Sequence, residues 1–311
     1  MGQVAPRLRG MDSALTEIGL PIALAIIMFG LGLDLTVADF KRIVREPKAA
    51  AIALACQIVL MPIICFGLVA LFDLPPLLGI GMLLLAASPG GTTAAMFSRL
   101  FRGDVALNIS LTAANTAIAI VTLPLITGLA ISYYNDEITG GVSMPLAEVI
   151  KVFGLILIPV AIGMVVRSKS PEFAERMDKP VRIGSAVILA VLVLAILLGE
   201  RDNITDYLAD IGLVAALFCA VNLLIGYYLP KALGVTGPQA IASSMEVGVH
   251  NATLAIYVAL QVLEVTDAQA VTISVPAAVY SLFMFAFAAL WGTYVSRQVT
   301  AATTSNDKQT V

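Results

Sequence analysis

Charged residues are scarce in this sequence, at 13% of its 311 residues. A soluble globular domain carries about 25%, because its surface has to be wetted by water. Hydrophobic residues instead make up 59% of the chain, and the mean hydropathy is +0.95. The net charge of −3 offers no basic surface to a nucleic acid. Together these values predict a protein whose main solvent is the lipid bilayer.

Cysteine is scarce too, and the usual catalytic motifs are missing. Cys56, Cys65 and Cys219 stand in apolar runs without C-x-x-C spacing. This indicates buried small side chains rather than a disulfide framework or a zinc site. The sequence also lacks G-x-S-G, H-E-x-x-H and paired aspartates. Neither an enzyme nor a bound cofactor is therefore predicted.

The sequence does have long apolar runs. A helix needs roughly 20 residues to cross a bilayer, and nine of the runs are near or above that length. They cover residues 18–35, 47–72, 76–100, 104–133, 144–166, 180–199, 211–233, 237–261 and 267–296. Polar tails flank them at residues 1–17 and 297–311. The chain is therefore predicted to be an all-α polytopic membrane protein with nine transmembrane helices.

Lysine and arginine are concentrated in alternate loops. The loops after the first, third, fifth and seventh runs are basic, as is the C-terminal tail, whereas loops such as FDLPP and YYNDEITGG carry acids. Basic loops stay in the cytoplasm, so the N-terminus is predicted outside and the C-terminus inside. Arg7 and Arg9 in the N-terminal tail run against this pattern.

Two of the runs contain interruptions. Ser88, Pro89, Gly90 and Gly91 interrupt the run 76–100, and Gly248 lies beside a polar cluster in the run 237–261. Proline removes a backbone donor and glycine weakens a helix. Broken helices at matching places in two halves of a chain indicate an inverted-repeat transporter.

The polar cluster in SSMEVGVHNATLAI, residues 243–256, contains Glu246, His250 and Asn251. A charge at the bilayer centre costs about 2.5–3.5 kcal/mol. Glu246 therefore indicates a cation or proton site, the alternative being a protonated carboxyl bonded to a neighbouring helix. His250 fits either a hydrogen-bonding partner or a titrating group. Asn108, Thr112 and Asn115 share one helix face, which suits interhelical hydrogen bonds and ligand contact equally.

The segments GLGLDLTVADFKRIVREPKAA, SPGGTT, RGDVALNISLT and SMEVGVHNATLA occur in this order between about residues 18 and 296. With them the chain resembles the bile acid:sodium symporter family, as a bacterial member in the inner membrane. The resemblance implies two broken helices that cross. It also implies a panel domain, about 18–35 and 144–199, and a core domain, about 47–133 and 211–296.

The resemblance further implies sodium sites. One would use Glu246, the backbone of Val247 and Val249, position 250 and Gln57. Many members have glutamine where this chain has His250. The other would use Glu246 with Asn108 and Thr112, but two further positions are Ala94 and Ala95, which have no side-chain oxygen. One dominant sodium ion per cycle is therefore expected.

The function implied is sodium-coupled symport of a small organic anion by alternating access. The anion's carboxylate would meet the helix N-termini at the crossing, near Asn251, Thr92 and Thr93. Two alternatives stay open: proton coupling through Glu246 and His250, and an uncoupled channel or sensor on the same fold.

Overall fold

A computed structural model describes residues 19–134, 137–138, 141–200 and 203–309, and the N-terminal tail predicted at residues 1–17 lies outside it. Within these ranges the regular structure is helical, apart from two isolated bridges. The helices are α1 Leu20–Asp34, α2 Val37–Arg45, α3 Pro47–Ala55, α4 Met61–Leu71, α5 Pro76–Ala87, α6 Thr92–Leu100, α7 Val105–Tyr133, α8 Leu146–Lys169, α9 Pro171–Gly199, α10 Ile204–Ala232, α11 Gly237–Gly248, α12 Ala252–Gln261 and α13 Asp267–Gln309. A π-helical turn, Cys56–Leu60, joins α3 to α4.

Six helical spans are long and apolar enough to cross a membrane, and a seventh is obtained if α1 and α2 count as one span bent by 64°. The all-helical, multi-span class is thereby confirmed. The count of nine stays a prediction, because the runs 76–100 and 237–261 are each divided into two short helices and α1 has 15 residues. Large apolar side chains cover the outer faces, for example Ile158 at 62% exposure and Leu194 at 56%, as expected of surfaces that meet lipid.

Small residues let the helices approach closely where they pack. A Cβ atom on Gly163 of α8 would lie 2.8 Å from the Cα of Gly32 in α1, and one on Gly226 of α10 would lie 2.9 Å from the Cα of Ser244 in α11. Close backbone packing of this kind is a main source of helix association in lipid. Glycine at these positions therefore fixes α1 against α8 and α10 against α11.

The basic stretch after α1, which sequence reasoning treated as a loop, is the short helix α2. Its start carries a capping box between Thr36 and Asp39, whose carboxylate accepts from the Thr36 backbone at 2.7 Å. Arg42 then pairs with Glu46 at 2.9 Å and with Asp104 at 2.7 Å. Asp104 also caps α7 by accepting from the backbone of Leu107 at 3.0 Å. The helix α2 is thus tied to the start of α7.

The two interrupted runs break where they meet each other. The backbone N–H of Gly91 donates to the carbonyl of Val249 at 2.8 Å, and that of Asn251 donates to the carbonyl of Pro89 at 2.8 Å. These bonds form an antiparallel bridge between Gly90 and His250. Backbone groups released by a broken helix need partners inside a membrane, and here each break supplies them to the other. The pair of breaks holds α5–α6 and α11–α12 together at one point.

Candidate functional site

Glu246 lies in the last turn of α11 and is 1% exposed. Its Oε2 accepts a hydrogen bond from the Thr112 hydroxyl at 2.6 Å. Its Oε1 is buried and has no hydrogen-bond partner among the described residues. Gly90 packs against the carboxylate so closely that a Cβ atom there would overlap it. One oxygen of a buried acid therefore makes no hydrogen bond of normal geometry with the described residues, although the Asn115 amide and the Gly90 backbone lie beside the carboxylate.

Asn108 and Thr112 face this carboxylate from successive turns of α7. The Asn108 amide nitrogen donates to the carbonyl of Ala242 at 3.0 Å, and its Oδ1 is buried without a partner in the part of the chain described. The Thr112 hydroxyl also lies 3.1 Å from the backbone carbonyl of Asn108. Asn115 faces the carboxylate as well. The shared face predicted for α7 thus points at α11.

Gln57 reaches the crossing from the π-helical turn. Pro62 lacks an N–H, and its ring crowds the carbonyl four residues earlier. The turn widens just before it, so that Met61 bonds to Cys56, five residues back. The Gln57 amide nitrogen donates to the carbonyl of Ser88 at 3.2 Å, while its Oε1 is buried and unpartnered among described atoms. A third buried oxygen is therefore free at this site.

His250 is held at both ring nitrogens. Its Nδ1 lies 3.2 Å from the carbonyl of Ser88, and its Nε2 lies 3.0 Å from the amide nitrogen of Asn222. A neutral ring with the proton on Nδ1 satisfies both contacts, because it donates to the carbonyl and accepts from the amide. The ring also stacks on Phe218 with centroids 5.8 Å apart. In this tautomer the 3.3 Å approach of Gln57 to Nδ1 is a contact between two donors.

The backbone carbonyls predicted as ligands differ in their surroundings. That of Val249 accepts from Gly91, as described above. That of Val247 would accept from Asn251 in a continuous helix, but the Asn251 N–H donates to Pro89 instead. The break therefore releases the Val247 carbonyl from its helical partner. Gly248 is the last residue of α11, and its own carbonyl accepts from the Tyr280 hydroxyl at 2.9 Å.

A small cavity lies on the other side of the crossing, where α6 and α12 begin. Its lining includes Thr93, Asn251, Thr253 and Ser185, and its volume of about 20 Å³ holds roughly one water. The Asn251 side-chain oxygen caps α12 through the N–H of Leu254 at 3.1 Å. Thr92 begins α6, but its side chain lies outside the described part of the structure. Asn251 and Thr93 are thus brought together beside two helix N-termini.

A larger cavity of about 410 Å³ adjoins the small one between α9 and α13. The two share Ala186 and Leu189. The remaining lining is apolar except for Ser281, and it includes Val193 and Phe285. A polar cavity at the crossing therefore continues into an apolar one.

Sequence reasoning missed several polar groups at this site. Asn222 and Tyr280 complete the hydrogen-bond chain around His250, with Asn222 donating to the Tyr280 hydroxyl at 3.1 Å. The sequence signal for Asn222 is that of a lone amide in an apolar run, which by itself indicates only a hydrogen bond between helices. Ser185 and Ser243 carried no signal, because isolated serines are common in membrane helices.

The donor set suits a hard monovalent cation. No group of three or more His, Cys, Asp or Glu side chains that could hold a metal ion occurs among the described residues. The oxygen donors at the site are one carboxylate oxygen of Glu246, the amide oxygens of Asn108 and Gln57, and the Val247 carbonyl that the break releases. Oxygen donors of this kind are the ligands of alkali and alkaline-earth ions rather than of zinc or copper.

Comparison with known proteins gives this chemistry a family. Residues 21–207 match the model of the Sodium Bile acid symporter family. The chain is 28% identical over 278 residues to the "Uncharacterized sodium-dependent transporter YocS" of Bacillus subtilis, covering 89% of this chain and 83% of that protein. It is 26% identical over 279 residues to the human "Ileal sodium/bile acid cotransporter", covering 89% and 78%.

A third relative is the mouse "P3 protein", 34% identical over 235 residues, or 73% of this chain. The chain spans only 47% of that longer protein. Two of the three relatives carry sodium dependence in their names, and the family model covers more than half of this chain. The protein belongs to the Sodium Bile acid symporter family, which is a family of membrane transporters.

Proposed function

We propose that the protein is a symporter that couples the entry of a small organic anion to sodium by alternating access. The observation that carries the proposal is the buried Glu246 carboxylate, whose Oε1 has no partner within the described residues. A buried charge is costly unless it is paired. Asn108 Oδ1 and Gln57 Oε1 are both buried without a partner in the described part of the chain, and they would supply the neutral oxygens that a sodium ion needs beside that charge.

Two ligand groups meet at Glu246. One group lies on the side of the π-helical turn and consists of Gln57, the carbonyls of Val247 and Val249, and the neighbouring His250. Asn108 and Thr112 form the other, on α7. In both, the ion would offset the carboxylate charge and replace contacts that the protein alone leaves unmade.

The anion would bind at the small cavity, with its carboxylate toward the N-termini of α6 and α12. Thr92, Thr93 and Asn251 belong to these two N-termini. Asn251 supports the assignment, because it is 7% exposed and lines the small cavity. The adjoining apolar cavity favours a carboxylate with an apolar body.

Coupling follows from the shared crossing segment. The cation would lie against α11, before the break, and the anion against the start of α12, after it. The break from Val249 to Asn251 is therefore fixed from both sides only when both solutes are bound. The small cavity is too narrow for an organic anion, so substrate entry requires α9 to move away from α6 and α12.

The moving parts would be a panel of α1, α8 and α9 against a core of the remaining helices, within nine spans arranged as an inverted repeat. Close packing of α1 on α8 supports treating these as one body. The basic loops support an external N-terminus and a cytoplasmic C-terminus in a bacterial inner membrane.

The proposal is tested with purified protein in proteoliposomes. A thermal-shift screen of small carboxylates in sodium chloride and in potassium chloride first identifies the anion. Uptake of that anion should then require an inward sodium gradient and persist when the pH gradient is collapsed. Uptake that follows the pH gradient and ignores sodium would assign coupling to protons, and uptake without any gradient would indicate an uncoupled channel.

A further inference from the structure

Ser243 stands one helical turn before Glu246 in α11. Its side chain is 1% exposed. Its hydroxyl oxygen is buried and has no hydrogen-bond partner within the described part of the chain. A buried hydroxyl without a partner is costly, so a helix seldom leaves one in this state.

Several other buried hydroxyls are satisfied by their own helix, although those of Ser98 and Thr127, like that of Ser243, have no partner among the described residues. Ser110 donates to the carbonyl of Ala106 at 2.8 Å, and Ser281 donates to that of Ala277 at 2.7 Å. A serine hydroxyl in a helix commonly donates to the carbonyl four residues earlier in this way. Even the adjacent Ser244 is satisfied, by donating to Leu223 at 2.7 Å and accepting from Trp291 at 3.0 Å. Ser243 departs from the pattern of its neighbours.

Ser243 lies on the side of α11 that carries Glu246, one of the proposed cation ligands. Residues three apart on a helix are neighbours on its surface, so Ser243 and Glu246 share a face of α11. Asn108 is fixed next to the same turn by its 3.0 Å bond to the carbonyl of Ala242. Ser243 Oγ, Asn108 Oδ1 and Glu246 Oε1 are three buried oxygens around one contact between α7 and α11, and each is unpartnered among the described atoms.

We propose that Ser243 is a sodium ligand and completes the ion site formed by Glu246, Asn108 and Thr112. This inference rests on the proposed function. It differs from the expectation drawn from the sequence, in which Ala94 and Ala95 left that site short of oxygens. The Ser243 hydroxyl would direct a lone pair to the ion. Ser243 would then supply a hydroxyl oxygen to the site, which Ala94 and Ala95 of α6 cannot do.

The test is equilibrium binding of radiolabelled sodium to the purified full-length protein, with potassium chloride holding the ionic strength constant. Ser243→Ala removes the oxygen, and Ser243→Cys keeps the volume but replaces the oxygen by a soft sulfur that sodium disfavours. Thr127→Val is the matched control, because Thr127 is also buried with an unpartnered hydroxyl but lies four turns along α7 from Thr112.

We expect two sodium ions bound to the wild-type protein, with affinity at one of them reduced about tenfold in both Ser243 variants. Thr127→Val should bind as the wild type does. Unchanged binding in Ser243→Ala and Ser243→Cys, with a wild-type protein that does bind sodium, would overturn the role of Ser243 alone. A wild-type protein that binds no sodium would overturn the proposed function together with this inference.

Discussion

Glu246 has two carboxylate oxygens in different surroundings, one bonded to Thr112 and one unpartnered among the described residues. Substitution by glutamine removes the charge and keeps the shape. We expect Glu246→Gln to lose the sodium-induced rise in Tm, and to be more stable than the wild type in potassium by about 1–3 kcal/mol, because an unpaired buried charge is removed. Thermal unfolding in sodium and in potassium measures both effects.

The control for this substitution is Glu264→Gln. That glutamate is exposed and accepts from the Ser143 hydroxyl at 2.7 Å. Its variant should keep the full sodium response. If Glu246→Gln also keeps that response, the cation does not bind at Glu246.

His250 is held by Ser88, Asn222 and Phe218 in a way that a neutral ring satisfies. Glutamine can replace both hydrogen bonds, but it loses the stacking on Phe218. We expect His250→Gln to lower the stability by about 1 kcal/mol and to retain sodium-driven uptake with an unchanged pH profile. Uptake measured between pH 6 and pH 8 checks this, and a variant whose uptake lost the pH dependence of the wild type would show that the imidazole takes part in proton coupling.

At the scale of the helix, the two glycines of the first break differ in how well they would tolerate a side chain. A Cβ atom on Gly90 would overlap the Glu246 carboxylate, whereas one on Gly91 would lie 3.2 Å from the carbonyl of His250. We expect Gly90→Ala to abolish sodium binding and Gly91→Ala to weaken it modestly. Gly128→Ala is the control, since a Cβ atom there meets nothing within 4 Å and should stabilise α7 by about 0.5–1 kcal/mol. Sodium binding by each purified variant distinguishes these cases.

The start of α7 depends on Asp104, which serves as helix cap and as ion-pair partner of Arg42. We expect Asp104→Asn to cost under about 1 kcal/mol, because asparagine keeps the cap and loses only a partly exposed ion pair. Asp104→Ala should cost about 1 kcal/mol more. Thermal unfolding of the two variants separates the contributions, and equal losses would show that the cap contributes nothing.

The sequence predicts a helix break well where the residues at the break themselves disfavour a helix, and poorly where distant residues determine its position. Pro89, Gly90 and Gly91 marked the first break, because each of these residue types weakens a helix by itself. The second break lies at Val249–Asn251, one residue after Gly248, and no proline marks it. Its position is set by hydrogen bonds to Pro89 and Gly91, which are distant in sequence. The helix α2 was missed although its capping box is a local signal.

The residues of the candidate site also divide into those with a local sequence signal and those without one. The carboxylate of α11 and the histidine of the second break were conspicuous in an apolar run, and Asn108 and Thr112 were recognised by their spacing. Ser243 and Ser185 were not, since what distinguishes them is the absence of a partner within the described structure or their place beside a cavity. Both properties belong to the packed molecule and not to the residue.

At the scale of the whole molecule, the proposed anion would extend its apolar body into the cavity between α9 and α13. Phe285 lines this cavity. We expect Phe285→Ala to shift the preference toward carboxylates with a longer apolar body by roughly tenfold. Competition for uptake by a series of carboxylates of increasing chain length measures the shift. The control is Leu290→Ala, on an outer face at 72% exposure, which should leave the order of preference among the carboxylates unchanged. If Phe285→Ala also leaves that order unchanged, the anion does not bind in this cavity.

The bridge between the two breaks also constrains biosynthesis. Its hydrogen bonds join residues about 160 positions apart, and a ribosome adds about 5–20 residues per second. For roughly 8–30 s, therefore, the first broken helix has already been synthesised while the partner of its Pro89 carbonyl and Gly91 N–H has not. During that interval the nascent chain must shelter these groups in the translocation machinery, in water or against another membrane protein. The second half of the chain thus acts as the folding partner of the first.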